Sequence, residues 1–177
     1  MLRRWKSVSS RITKKNPWWT YKIDQYQIPG GVSGEYHYVY TQGSSMVIPI
    51  LDNGNLVLVN QYRYLCDRES VEFPCGGVKP GRTYEEMAAL ELEEEAGYRS
   101  QHLERVAEFN PYNGVTNEIC AVFIGRGLQK TVPKPEATEE FEMITCSPTE
   151  LDDMIREGKI WDGMTLAAWS LVREKIR

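Results

Sequence analysis

Three glutamates, Glu91, Glu94 and Glu95, stand at i, i+3 and i+4. On a helix this spacing puts all three on one face within a single turn. Carboxylates so close repel one another unless a cation sits among them. Hard divalent ions such as Mg²⁺ take oxygen ligands of this kind and bridge phosphates well. Metal-assisted chemistry on a phosphate is therefore what the trio could support. Glu85, Glu86 and Glu93 crowd the same segment. Taken alone, the three read as a solvated acidic face, and the surrounding chain has to decide.

The elements that must position them are well marked. A glycine-rich loop, Pro74-Cys75-Gly76-Gly77-Val78-Lys79-Pro80-Gly81, comes first. Thr83 and Glu86 then form a T-x-x-E capping box, and Tyr84, Ala88 and Leu92 recur at helical spacing. Gly97 supplies the stop, which predicts a helix over 84–96. Upstream, the apolar runs 46–51 and 56–63 flank Asp52-Asn53-Gly54-Asn55. Asn-Gly between two such runs predicts a β-hairpin, because both residues tolerate positive φ. Segments 104–109, 119–125 and 141–145 read as strands. Ser147-Pro148-Thr149-Glu150 is a second capping signature with proline at the first helical position. Its short helix carries a stripe of Leu151, Met154 and Ile155 and ends at Gly158. A last helix spans about 162–175. The order predicts a mixed α/β sandwich.

Residues 1–40 are rich in aromatics: Trp18, Trp19, Tyr21, Tyr26, Tyr36, Tyr38 and Tyr40. They read as strand segments at an edge or across a dimer, or equally as aromatic packing on the domain's own sheet. The basic start, Met1 to Lys6, lacks an apolar core and reads as an N-terminal strand rather than a targeting segment. The chain divides into this segment (1–40), expected to serve dimerisation, and a catalytic domain (41–177).

The net charge of −4 argues against a nucleic-acid partner, which needs a basic surface. An acidic protein that handles phosphate must import positive charge locally, through metal ions and placed arginines. No window approaches a membrane-spanning length of apolar residues, so no membrane partner is expected. The cysteines Cys66, Cys75, Cys120 and Cys146 form no C-x-x-C pair. They point to a reducing, cytoplasmic setting rather than to a zinc site.

Gly76 to Tyr98 resembles the Nudix signature, G-x5-E-x7-R-E-U-x-E-E-x-G-U. Gly76 matches the first glycine, and Glu91, Leu92, Glu94, Glu95, Gly97 and Tyr98 match the second half. The resemblance implies a Nudix-fold α/β/α sandwich with a central catalytic helix. It implies metal binding by Glu91, Glu94 and Glu95, with the carbonyl of Cys75 as a further ligand. The metal would be Mg²⁺, or Mn²⁺ in its place. Two positions depart from the signature: Arg82 stands for its glutamate and Leu90 for its arginine. One expectation is that Arg82 replaces the missing arginine and orients Glu91 or Glu94. The other is that it points into solvent.

Asn16-Pro17-Trp18-Trp19, Gln61-Tyr62-Arg63-Tyr64, Glu72-Phe73-Pro74 and Asn110-Pro111-Tyr112-Asn113-Gly114 resemble the ADP-ribose and nucleoside diphosphate sugar pyrophosphatase branch. The resemblance places Trp19, Arg63, Glu72 and Asn113 at the substrate. Trp19 would stack on the base across a homodimer, and Arg63 would reach phosphate. Asn113 occupies the place of a proline that marks many ADP-ribose enzymes. Glu139, in an acidic loop, matches the branch's general base, so Glu139 and Glu94 are the expected catalytic carboxylates. The implied activity is Mg-dependent hydrolysis of the diphosphate of ADP-ribose or a related nucleotide sugar. The rivals are a Nudix-fold module that binds without cleaving, and an enzyme for dinucleotide polyphosphates.

Overall fold

A computed structural model describes residues 2–134 and 140–176. Three strands come first: β1 (Lys6–Lys15), β2 (Thr20–Gln27) and β3 (Ser33–Tyr40), paired in the order β1-β2-β3. Next come β4 (Ser44–Pro49), β5 (Leu56–Arg63), β6 (Arg68–Glu72) and β7 (Cys75–Gly77). They lead to helix α1 (Tyr84–Ala96) and strands β8 (Tyr98–Phe109), β9 (Cys120–Lys130) and β10 (Glu142–Cys146). Helices α2 (Pro148–Arg156) and α3 (Gly163–Ile176) close the fold. The second sheet runs β10-β5-β6 and the third β7-β4-β9-β8. β4 and β9 are parallel while β4 and β7 are antiparallel, so the third sheet is mixed.

The core explains the layering. Along β4, Met46 and Ile48 face a cluster with Leu151, Ala168, Trp169 and Val172 of α2 and α3. Val47 faces the opposite way, toward Ala88, Leu92 and Ala96 of α1. β5 divides in the same manner, with Leu56 and Leu58 toward one cluster and Val57 and Val59 toward the other. Strands covered on both faces carry continuous apolar runs. Each such side chain contributes roughly 1.5–3 kcal/mol by leaving water. This is the expected α/β/α sandwich.

The predicted hairpin at 52–55 is corrected. The turn forms, with Gly54 at φ +84° and the Leu51 N–H donating to the Asn55 carbonyl. Its two arms share only the single bridge Ile50–Leu56 and then part into different sheets. Apolar runs buried on both faces can find partners on either side, and β4 takes β7 and β9 instead of β5. β8 and β9 also run longer than expected. Their extra residues, such as Arg99, Gln101, Gln129 and Lys130, are mostly exposed and carry no hydrophobic pattern.

The N-terminal strands form a sheet of their own. Every residue of β1 is exposed, and Trp5 stacks on Tyr26 with ring centroids 4.5 Å apart. Trp5, Tyr26, Tyr36 and Tyr38 thus pack among themselves within this sheet, while Trp18 and Trp19 are exposed. The link to the rest is local. Val39 bridges Thr116, the Tyr36 hydroxyl donates to the Gly114 carbonyl, and the Asn117 side chain bonds both the N–H and the carbonyl of Thr41.

Candidate active site

Helix α1 is capped as its sequence dictates. The Thr83 hydroxyl accepts the Glu86 N–H at 3.1 Å, and the Glu86 carboxylate accepts the Thr83 N–H at 2.8 Å. The Thr83 N–H and hydroxyl, both donating to that carboxylate, hold the Glu86 carboxyl below its usual range. Gly97 ends the helix at φ +66°, in the left-handed region that favours glycine. With both ends set, the side of α1 that meets β7 is set too.

On that side the acidic residues are sorted. Glu91 and Glu95 are buried, at 9% and 6% exposure, although carboxylates seldom are. The Cys75 N–H donates to Glu95 Oε2 at 3.0 Å. Gly76 lies flat against Glu91, and a Cβ there would sit only 2.1 Å from Glu91 Oε1. The signature glycine is therefore the space in which the Glu91 carboxylate rests. Glu93 is drawn the other way, to Arg99 at 2.6 and 2.8 Å, and that guanidinium keeps its carboxyl low. Glu94 is half-buried, and its carbonyl accepts the Lys134 N–H at 3.0 Å.

The expected trio is thus a pair plus one. Among the described residues no three His, Cys, Asp or Glu side chains converge as a ligand cluster. Glu91 and Glu95 share the β7 side, whereas Glu94 lies about 100° round the helix from Glu95. The donor set still fits a hard divalent ion: buried carboxylate oxygens packed on a backbone that glycine leaves open. The adjacent Cys120 thiol, burial, and the charges of Glu95 and Glu91 push the Cys75 thiol well above its ordinary value.

Arg63 and Glu72 are brought together. Glu72 Oε1 accepts from Arg63 Nε at 2.8 Å, and Glu72 Oε2 accepts from Nη2. Glu72, Asp162 and Glu95 all favour the charged guanidinium. Asp162 was not anticipated as a neighbour. Its local signal is a D-x-x-T cap, with Oδ2 accepting the Thr165 N–H at 2.7 Å, but its closeness to Arg63 crosses most of the chain. A shallow cavity of about 210 Å³ opens beside Asp162, lined also by Asn110, Pro111 and Met164. The α1 glutamates do not line it.

Other expected residues sit apart. Trp19 is 37% exposed in the β1–β2 turn, where Asn16 Oδ1 accepts its N–H at 2.8 Å. Asn113 is exposed in the β8–β9 loop. Glu139 lies outside the described residues. The expectation that Arg82 orients Glu91 or Glu94 is corrected. Arg82 is exposed, and its Nη1 lies 3.9 Å from Glu86 Oε1. It precedes the helix cap by one residue, roughly 13 Å along the axis from Glu91.

A family model described as NUDIX domain matches residues 41–167. The chain belongs to the Nudix family. Within this Nudix chain, the Nudix box is the β7–α1 unit built above. The chain is 28% identical over 149 residues to an ADP-ribose pyrophosphatase of Bacillus subtilis (strain 168), covering 82% of this chain and 80% of that one. It is 29% identical over 150 residues to a methanol dehydrogenase activator of Bacillus methanolicus, covering 83% and 80%. A solved structure described as ADP compounds hydrolase shares the fold at TM-score 0.86 and 18% identity, covering 99% of this chain and 96% of that one.

Proposed function

We propose that this Nudix pyrophosphatase cleaves the diphosphate of ADP-ribose or another nucleoside diphosphate sugar, releasing a nucleoside monophosphate and a sugar phosphate. The observation that carries the reading is the buried pair Glu91 and Glu95, held against Cys75 and Gly76 with the Arg63 guanidinium nearby. Burying a carboxylate is costly unless it is paired, hydrogen-bonded or bound to a metal ion, and a metal site is a setting in which two such groups can lie close together. The similarity to an ADP-ribose pyrophosphatase, and to an ADP-sugar pyrophosphatase of Mus musculus, supports the substrate class.

Glu91, Glu94, Glu95 and the Cys75 carbonyl would hold Mg²⁺, or Mn²⁺ in its place. When bound, such an ion offsets charge on phosphate oxygens and acidifies water. The rest falls to the chain's own groups. Arg63 binds phosphate with N–H donors that stay charged at any working pH. Glu139 takes the proton of the attacking water as general base. Trp19 stacks on the base, and Asn113 faces the substrate from its loop.

The reading includes a homodimer joined through residues 1–40, in the cytoplasm. Its support is the exposed apolar set on and beside β1, with Trp5, Val8 and Ile12 each more than half exposed. The family match beginning at residue 41 and the four free thiols agree with it.

One experiment tests the activity. Product release is measured from ADP-ribose, other nucleotide sugars and dinucleotide polyphosphates, with and without Mg²⁺. Release of AMP from ADP-ribose only with Mg²⁺ is the expected result. Preference for a dinucleotide polyphosphate would move the substrate class, and tight binding with no product would favour a binding module.

A further inference from the structure

We propose that Glu72 is a positioning residue, whose buried carboxylate turns the Arg63 guanidinium back along the sheet and leaves its outer N–H edge open to substrate phosphate. The proposal rests on the functional reading above and assigns Glu72 a role through Arg63 rather than a contact of its own.

β5 and β6 pair with Val59 opposite Glu72 and Arg63 opposite Arg68. Arg63 thus stands at the turn end of the β5–β6 hairpin, beside a second arginine. Its Cα lies roughly 13 Å along the strand from the position facing Glu72. Left to itself, Arg63 would point into water and away from Arg68. Arg68 has its own seat, with its guanidinium 3.6 Å from the centre of the Trp161 ring. Arg63 instead folds back, and the only group in the described structure that hydrogen-bonds its side chain is the Glu72 carboxylate.

The burial of the pair is lopsided. The Glu72 side chain is 4% exposed and the Arg63 side chain 44%. A buried carboxylate is costly without its cation, so Glu72 holds Arg63 firmly. Nε and one Nη2 hydrogen serve the pair. The Nη1 amino group and the other Nη2 hydrogen remain, and they form the fork that suits phosphate oxygens. A carboxylate that took the guanidinium end-on would have blocked that fork. A lysine at 63 could not serve both partners with fixed geometry. The backward fold also carries the guanidinium toward Glu95 and Asp162, into the region of the α1 carboxylates.

The test is a double-mutant cycle on the full chain with ADP-ribose. KM and kcat are measured with Mg²⁺, and the dissociation constant is measured by calorimetry in EDTA. Glu72→Gln should raise KM and the dissociation constant about tenfold and leave kcat within about threefold. Arg63→Ala should do the same or more. Adding Glu72→Gln to Arg63→Ala should cause no further loss. If Glu72→Gln melts early, Arg63→Met with Glu72→Met replaces the pair by apolar groups that burial tolerates. That protein should lose as much binding as Arg63→Ala alone. Wild-type affinity in Glu72→Gln overturns the proposal, as does a double variant that loses the product of both single effects. A wild-type protein that binds no nucleotide sugar overturns the functional reading and this proposal with it.

Discussion

The two ends of helix α1 carry the same residue types and use them in opposite ways. At the C-terminal half, Glu91 and Glu95 are pressed against β7, with one carboxylate on Gly76 and the other on the Cys75 N–H. At the N-terminal end, Glu86 caps the helix in solvent and Arg82 hangs beside it. Burial raises what a charge is worth, because nearby groups replace water as its partner. Exposed pairs contribute little. The contrast teaches that a run of glutamates on one helix is not one acidic surface. Neighbouring strands select the members that matter.

The sharpest way to break the contrast is Glu95→Gln. Turnover should fall at least about 100-fold, roughly 2.7 kcal/mol of transition-state stabilisation. The fold should survive, since amide and carboxylate have the same shape. Steady-state kinetics at saturating Mg²⁺ decide it, and unchanged kcat would remove Glu95 from the machinery.

Gly76→Ala should come next. The new methyl would meet the end of the Glu91 side chain, a flexible group, so Glu91 should move rather than the strand. A loss of about 10- to 100-fold in kcat/KM, with a melting curve close to wild type, is the expected outcome. A full loss of fold with no folded-state kinetics to measure would instead make Gly76 a packing residue.

At the exposed end, Thr83→Ala should act on stability alone. Loss of a helix cap costs about 1 kcal/mol, or roughly 2–4 °C in Tm for a chain of this size. The kcat of the folded protein should stay within about twofold if the two ends are as independent as their burial implies. A larger kinetic effect would show that the cap sets the position of Glu91 and Glu95.

The smallest effect belongs to Arg82. Arg82→Ala should leave kcat and its pH profile unchanged within about twofold, as expected for a half-exposed i, i+4 pair. Restoring the family residues with Arg82→Glu and Leu90→Arg should bring no gain. A pH profile displaced by Arg82→Ala would mean that this guanidinium does reach the buried carboxylates.

The local features were legible because their causes are local. Helix α1 runs from Tyr84 to Ala96, between a capping box and a glycine that are both within one turn of its ends. The second capping box, with Pro148 behind Ser147, likewise sets α2. A cap depends on groups a few residues apart, so neither needs the rest of the chain. The candidate residues Glu91, Glu95, Cys75, Arg63 and Glu72 could be named from spacing and family resemblance. How they are arranged could not. Helical spacing sets the angles between Glu91, Glu94 and Glu95, but nothing local to the helix says that β7 packs on the side of Glu91 and Glu95 rather than on that of Glu94. The 46–51 and 56–63 runs were visible as strands, but an apolar run buried on both faces does not say which neighbour it pairs with. The tertiary structure sent β4 to β9 and β5 to β6. It also decided that Arg63 folds back to Glu72 and that Arg82 stays with Glu86. Long side chains reach several residues in any direction, and the energy that chooses among those directions is burial, which only the assembled fold supplies.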